Sequence, residues 1–230
     1  MTKSPFGLII FDCDGVLIDS ETIALQVLRE ALAQAGLSLD HDTAQRRFQG
    51  RSLASMVASV AADGVDFHAQ RRADMAARLK ARFVADLAPV EGMRGLIDDL
   101  IALGVPVCVA SSSGTERLNH SLHVAGLLDR LAPHVFSADR VTNGKPAPDL
   151  FFYTAEAMDV APNRCVVVED SLPGIKAGLA AGMETIGFAA ASHATGESYR
   201  QTLADTGVRV VTSVASLRAL LLPKTPAPQG

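Results

Sequence analysis

Four stretches of this chain offer polar groups whose types, taken together, suit one kind of chemistry. Asp12 and Asp14 follow the apolar run Leu8-Ile9-Ile10-Phe11, and Ser111 and Ser112 follow Val109-Ala110. Glu169 and Asp170 follow Val166-Val167-Val168, and Lys145 lies in the turn-rich segment Asn143-Gly144-Lys145-Pro146. Clustered carboxylates repel one another and need a cation, and a donor set made of oxygens suits Mg²⁺ better than zinc. A phosphate monoester adds further negative charge, which Mg²⁺ and the Lys145 ammonium can offset. An aspartate can attack phosphorus and divide one hard step into two, while a second carboxyl protonates the leaving alcohol and later activates water. Serine hydroxyls and backbone N–H groups can hold the phosphoryl oxygens, so Ser111, Ser112 and Lys145 are the candidates for substrate binding.

Each fragment alone has a simpler reading. Asp12 and Asp14 could be turn formers after a strand. Ser111, Ser112 and Ser113 could cap the helix that follows them, and Glu169-Asp170 before Ser171 could do the same for a helix from Pro173. Lys145 could be a solvated loop lysine. These alternatives are largely independent, and their joint success in one chain is the less economical account.

The elements that must carry these groups alternate. Leu8 to Phe11, Val105 to Ala110, Val135 to Ser137, Cys165 to Val168, Thr185 to Phe188 and Val208 to Val211 read as short buried strands. Helical spacing is predicted for Ile23 to Ala35, Met93 to Leu103, Thr115 to Val124, Asp149 to Met158, Pro173 to Ala181 and Ser216 to Leu221. Asp19 or Ser20 can cap the first of these, with Gly36 ending it. Alternation of this kind predicts an α/β fold, a parallel sheet covered by helices on both faces, with ligands beyond the carboxyl ends of the strands. Between the first strand and about Pro89 only helical or ambiguous segments occur, which reads as an insertion standing over the end of strand one.

The motifs are also recognisable. Phe11-Asp12-Cys13-Asp14-Gly15-Val16-Leu17-Ile18-Asp19-Ser20 resembles the first motif of the haloacid dehalogenase superfamily, and Val109-Ala110-Ser111 its second. Gly144-Lys145-Pro146-Ala147-Pro148-Asp149 resembles the third, and Val168-Glu169-Asp170-Ser171 with Gly174 the fourth. The resemblance implies a Rossmann-like parallel sheet core over 1–17 and 90–230, with an inserted α-helical cap domain over 18–89. It implies Asp12 as nucleophile and Mg²⁺ ligand, Asp14 as general acid/base with its carbonyl on the metal, and Ser111 and Lys145 on the phosphoryl group. Asp170 then completes the metal ligands, and Glu169 acts on the metal directly or through water. Dehalogenating and phosphonate-cleaving members lack the second aspartate, so Asp14 points to a phosphatase or a phosphomutase. β-Phosphoglucomutase carries a histidine in its first cap helix where Ala24 stands here, which disfavours the mutase. Arg46-Arg47-Phe48-Gln49-Gly50-Arg51-Ser52 resembles the specificity loop of capped sugar phosphatases, which makes Arg51 a substrate-binding candidate. Phe48-Gln49-Gly50 and Asn119-His120-Ser121 resemble the bacterial 6-phosphogluconate phosphatase group. The expected substrate is a phosphorylated sugar, sugar acid or polyol. A fold-sharing binding protein without turnover is the alternative from another class.

Composition agrees with this picture. The 230 residues carry a formal charge of −4 without a long Lys/Arg block, which disfavours nucleic acid as a partner. No apolar stretch approaches the length of a membrane span, and Met1 to Phe11 lacks the pattern of a signal peptide. Cys13, Cys108 and Cys165 show neither metal-ligand spacing nor a paired framework, so reduced, buried thiols of a cytoplasmic protein are expected. The expected partner is a small phosphorylated metabolite, with the chain a monomer or weak homodimer.

Overall fold

A computed structural model describes residues 5–48, 53–194 and 196–222. Its centre is a six-stranded parallel sheet formed by β1 (Leu8–Phe11), β2 (Val107–Ser111), β3 (Val135–Ser137), β4 (Cys165–Glu169), β5 (Glu184–Phe188) and β6 (Arg209–Val211). The strand order is β3-β2-β1-β4-β5-β6, so the chain runs outward from β1 through β2 and β3 before returning to its other side. That reversal lies between β1 and β4, where an open α/β sheet leaves a crevice for ligands.

The strands are apolar throughout because both faces are covered. Ile9, Phe11, Val109 and Val168 face one layer, packed against Met93, Leu96 and Leu100 of α5 (Met93–Ala102). Leu8, Ile10, Cys108 and Val167 face the other, against Leu150 and Phe151 of α8 (Asp149–Ala157) and Ala177 of α9 (Leu172–Ala180). Alternate residues of a strand therefore feed different layers, as a period of two requires. All three cysteines are free and buried, as the sequence predicts. No helix among the described residues is long and apolar enough to cross a membrane.

Between β1 and α5 stand α1 (Glu21–Gln34), α2 (His41–Phe48), α3 (Leu53–Ala61) and α4 (Ala69–Asp86). They share a small core of their own, to which α1 gives Leu28 and Leu32, α2 gives Ala44 and Phe48, and α3 gives Val60. The two chain crossings into this helical unit lie side by side. Asp19 N donates to Ala88 O at 3.0 Å and Val90 N to Leu17 O at 3.0 Å, with Ile18 bridging Pro89 in antiparallel fashion. Phe83 of α4, with Leu17 and Ile18, packs into the core layer of the sheet.

Several local expectations change. The second strand starts at Val107, two residues after Val105, and includes Ser111 as its last residue. The last helix, α11 (Val214–Leu221), begins earlier than Ser216 because the Ser213 hydroxyl accepts the Ser216 N–H at 3.1 Å. Helices α7 (Leu128–Leu131) and α10 (Glu197–Ala204) were not predicted, the first being one turn long and the second burying only Leu203. α6 (Thr115–Val124) is found where the spacing places it. Replacing a fully buried residue of the main layer tests the packing. Leu96→Ala is expected to lower stability by about 2–5 kcal/mol in urea unfolding monitored by circular dichroism.

Candidate active site

Asp12 continues the β1–β4 pairing past the end of the strand, its N–H donating to Val168 O at 2.9 Å. This places its carboxylate between the ends of β2 and β4. Lys145, arriving from the loop after β3, meets it there. The ammonium donates to Asp12 Oδ1 at 2.6 Å, Glu169 Oε1 at 2.7 Å and Ala110 O at 2.8 Å, which occupies all three of its protons. The Phe151 ring lies beneath it, 5.0 Å from Nζ to the centroid. Burial pulls the lysine pKa down, but Asp12 and Glu169 outweigh it and hold the ammonium charged well above the ordinary range.

Glu169 is fully buried and has no free oxygen. Oε2 accepts both the N–H and the hydroxyl of Ser171, each at 2.9 Å. Ser171 in turn caps α9 by accepting the Gly174 N–H at 3.2 Å. The cap of this helix is thus Ser171, and the two acidic residues before it are turned to the site. Gly174 makes the approach possible, since a Cβ there would fall 1.7 Å from Glu169 Oε1.

Asp14 is held by three donors: Ser20 Oγ at 2.6 Å, Ser113 Oγ at 2.8 Å and an Arg117 guanidinium nitrogen at 3.1 Å. Burial pushes its carboxyl up, but Arg117 and the two hydroxyls together outweigh it and hold the group below the usual range. Ser20 precedes α1 without capping it: its backbone is already helical, with φ −90° and ψ −24°, and its hydroxyl donates to Asp14. Nor do Ser111 to Ser113 cap α6, whose first N–H, that of Thr115, goes to Asp139 Oδ2 at 2.7 Å. The Ser111 hydroxyl is buried and accepts the Ser113 N–H at 3.1 Å, while Ser112 is exposed.

Asp170 is buried against Gly15, whose φ of 80° opens a space that a Cβ would fill, 2.1 Å from Asp170 Oδ2. The Tyr199 hydroxyl donates to the Asp170 carbonyl. His193 Nε2 lies 2.9 Å from Asp170 Oδ2 but is not aligned for a hydrogen bond, and burial lowers its pKa. Burial likewise pushes Asp170 and Asp12 up, and each is raised further by neighbouring acids. Cys13, between the two aspartates, is in the core, and burial with both carboxylates pushes its thiol up.

Five of the predicted residues, Asp12, Asp14, Ser111, Lys145 and Glu169, therefore meet at the ends of β1, β2 and β4, and Asp170 joins them. Arg51 lies outside the described residues. Arg117 and His193 were not singled out by sequence, and Ser20 and Ser113 were read only as helix-cap candidates. Arg117 and His193 sit in unremarkable helix and turn contexts, and only the hydroxyl-rich Asp19-Ser20 and Ser111-Ser112-Ser113 runs carried a signal.

Among the described residues, no three acidic, imidazole or thiol side chains converge into a ready-made metal cage. The donor chemistry nonetheless fits Mg²⁺, which binds through one or two carboxylates and keeps several waters. Asp12 and Asp170 are oxygen donors whose mutual repulsion a hard cation would relieve.

A family model described as haloacid dehalogenase-like hydrolase matches residues 6–182. The chain belongs to this family. The 6-phosphogluconate phosphatase of Escherichia coli is 31% identical over 187 residues, covering 80% of this chain and 83% of that protein. A fructose-1-phosphate phosphatase of Escherichia coli is 31% identical over 182 residues, covering 77% of this chain and 94% of that protein. A solved haloacid dehalogenase-like protein of unknown function from Agrobacterium tumefaciens superposes with a TM-score of 0.83 at 37% identity, covering 94% of this chain and 97% of that one. The family's sheet with its surrounding helices is the fold found here.

Gly174→Ala tests the close approach beneath Lys145. With Glu169 fixed on both oxygens, the added methyl has nowhere to go, and a loss of about 1–3 kcal/mol is expected in thermal and urea unfolding.

Proposed function

We propose that this hydrolase is a Mg²⁺-dependent phosphatase that removes the phosphoryl group from a phosphorylated sugar, sugar acid or polyol through an aspartyl-phosphate at Asp12. The observation that carries the proposal is the Lys145 ammonium joining Asp12 to Glu169 from three separate stretches of chain, at 2.6 and 2.7 Å. The phosphatase activities of the two Escherichia coli relatives support the enzyme class and a small phosphorylated metabolite as substrate.

In this reading the sheet and its covering helices, 1–17 and 90–230, form the catalytic core, and 18–89 form the cap. An Asp12 oxygen attacks phosphorus as the bond to the sugar oxygen breaks, and Asp14 delivers a proton to that oxygen. Water then attacks the aspartyl-phosphate, Asp14 takes its proton back, and inorganic phosphate leaves with Asp12 restored. Ser111, and Lys145 once its ammonium gives up one of its three present acceptors, hold the phosphoryl oxygens in line, since positioning and charge stabilisation dominate this chemistry. The metal, held by Asp12, Asp170 and the Asp14 carbonyl, would offset the charge developing on the phosphoryl oxygens. Glu169 acts on Lys145 and on the metal directly or through water.

Asp14 as described is held ionised by Ser20, Ser113 and Arg117, which is the form that accepts a proton from water. To serve as the acid in the first step it must leave at least one of these partners. The reading includes a cytoplasmic setting, in keeping with three thiols that are buried and free.

Asp12→Asn is expected to abolish phosphate release while leaving the unfolding curve of the wild type. Turnover by the folded variant would reject Asp12 as nucleophile. EDTA is expected to silence the enzyme and added Mg²⁺ to restore it, read as released phosphate over a panel of sugar phosphates beside a mutase assay. Full activity in EDTA would dismiss the metal, and interconversion without phosphate release would favour the mutase.

A further inference from the structure

Two cations reach the acidic cluster among the described residues, and they differ in what they have left to give. Lys145 is 2% exposed in its side chain and spends its three protons on Asp12, Glu169 and the Ala110 carbonyl. Arg117 is 44% exposed in its side chain and donates one hydrogen bond, to Asp14 Oδ1. A guanidinium carries five N–H groups in a planar fork, so most of this fork is unspent.

The place of that fork is set by four elements. Arg117 projects from α6, and its guanidinium carbon lies 5.7 Å from the centre of the Phe83 ring on α4. Beside it, Lys80 of α4 reaches Glu116 of α6 at 3.5 Å. From the third side comes Asp14, the group that, in the function proposed above, exchanges a proton with the leaving oxygen. The fourth is the start of α1, where Ser20 bonds Asp14 and Thr22 bonds Ser192 at 2.6 Å, with Glu21 between them. The partly exposed guanidinium of Arg117 therefore lies beside Asp14, on the seam between the helical unit and the sheet.

We propose that Arg117 is a specificity residue that selects leaving groups bearing a carboxylate, so that the preferred substrate is a phosphorylated sugar acid. The inference rests on the phosphosugar phosphatase reading and narrows it. A planar guanidinium matches a carboxylate with two parallel N–H···O bonds, a fit that neither a hydroxyl nor a point-charge ammonium reproduces. Among the described residues the half-buried Glu21 carboxyl lies near this place together with Asp14 and Asp170, and these acids offer an incoming anion no attraction of their own. A second anion must therefore touch Arg117 directly.

The test compares two probes that differ at one carbon, 6-phosphogluconate and glucitol 6-phosphate, the second carrying a hydroxymethyl in place of the carboxylate. kcat/KM is measured for both on the wild type, on Arg117→Met, which keeps an apolar stem over Phe83, and on Arg117→Lys. Taking the ratio of the two probes within each protein cancels any general loss through Asp14. The wild type is expected to favour the acid, and the ratio to fall about tenfold or more in Arg117→Met, mainly through KM, the scale of one lost charge-assisted contact. Arg117→Lys is expected to recover part of that ratio. A wild type that prefers the polyol, or a ratio that Arg117→Met leaves unchanged, overturns the proposal. Should the wild type release no phosphate from any probe, the phosphatase reading fails by itself, and calorimetric binding of 6-phosphogluconate still decides about Arg117. Equal affinity of wild type and Arg117→Met would overturn it there, and weaker binding by Arg117→Met would uphold it.

Discussion

Lys145 carries its charge almost out of water, and it can do so because two carboxylates and a strand-end carbonyl surround it. An ammonium moved from water to a protein interior loses several kcal/mol of solvation, which only close opposite charge and complete hydrogen bonding return. Asp12 and Glu169 meet the same condition in reverse. Everything around them follows from that need. β1 and β4 must be neighbours in register for Phe11 to stand beside Val168, and the loop after β3 must return across β2 to bring Lys145 over Ala110. α9 must begin with a small residue against Glu169, which is the place of Gly174.

A second constraint is the economy of hydroxyls around Asp14. Ser20 and Ser113 stand where helix caps are expected, and neither caps its helix. Capping is worth about 0.5–2 kcal/mol, and a hydroxyl donated to a partly buried carboxylate is worth at least as much because one partner is ionised. A hydroxyl can donate and accept at once, as Ser171 does, so these two helix ends go without a serine cap because of where Ser20 and Ser113 stand, while their protons go to the carboxylate. At α6 the orphan Thr115 N–H finds Asp139, a residue from beyond β3. The same bonds tie the entry of α1 to the sheet, so the position of the helical unit and the state of Asp14 are linked through one short segment.

The helical unit itself is fastened in two ways. Its paired crossings at Leu17–Asp19 and Ala88–Val90 share backbone hydrogen bonds, while Phe83 is sunk in the layer that covers the sheet. Polar contacts complete the seam, with Gln45 Nε2 donating to the His193 carbonyl at 2.9 Å and Ser192 Oγ to Asp19 at 2.8 Å. Apolar burial sets where α4 rests, and these exposed or half-exposed polar bonds, each of modest worth, decide register more than strength.

By itself the sequence determined the alternation of strands and helices, the acidic, hydroxyl and ammonium residues at the strand ends, and the helical insertion after β1. These were legible because period-two and helical spacing, together with abrupt polar residues after apolar runs, are local signals. The weak strand at Val135 and the helix from Thr115 were readable for the same reason, whereas α10, burying only Leu203, had no periodic face to announce it. Only the tertiary structure decided which partner each polar group would take. Ser20 and Ser113 gave their hydroxyl protons to Asp14, Glu169 spent both oxygens on Lys145 and Ser171, and Arg117 came within 3.1 Å of a residue 103 positions away. Hydrogen-bond competition is settled by distance and burial in three dimensions, and neither is written in the spacing of residues along the chain.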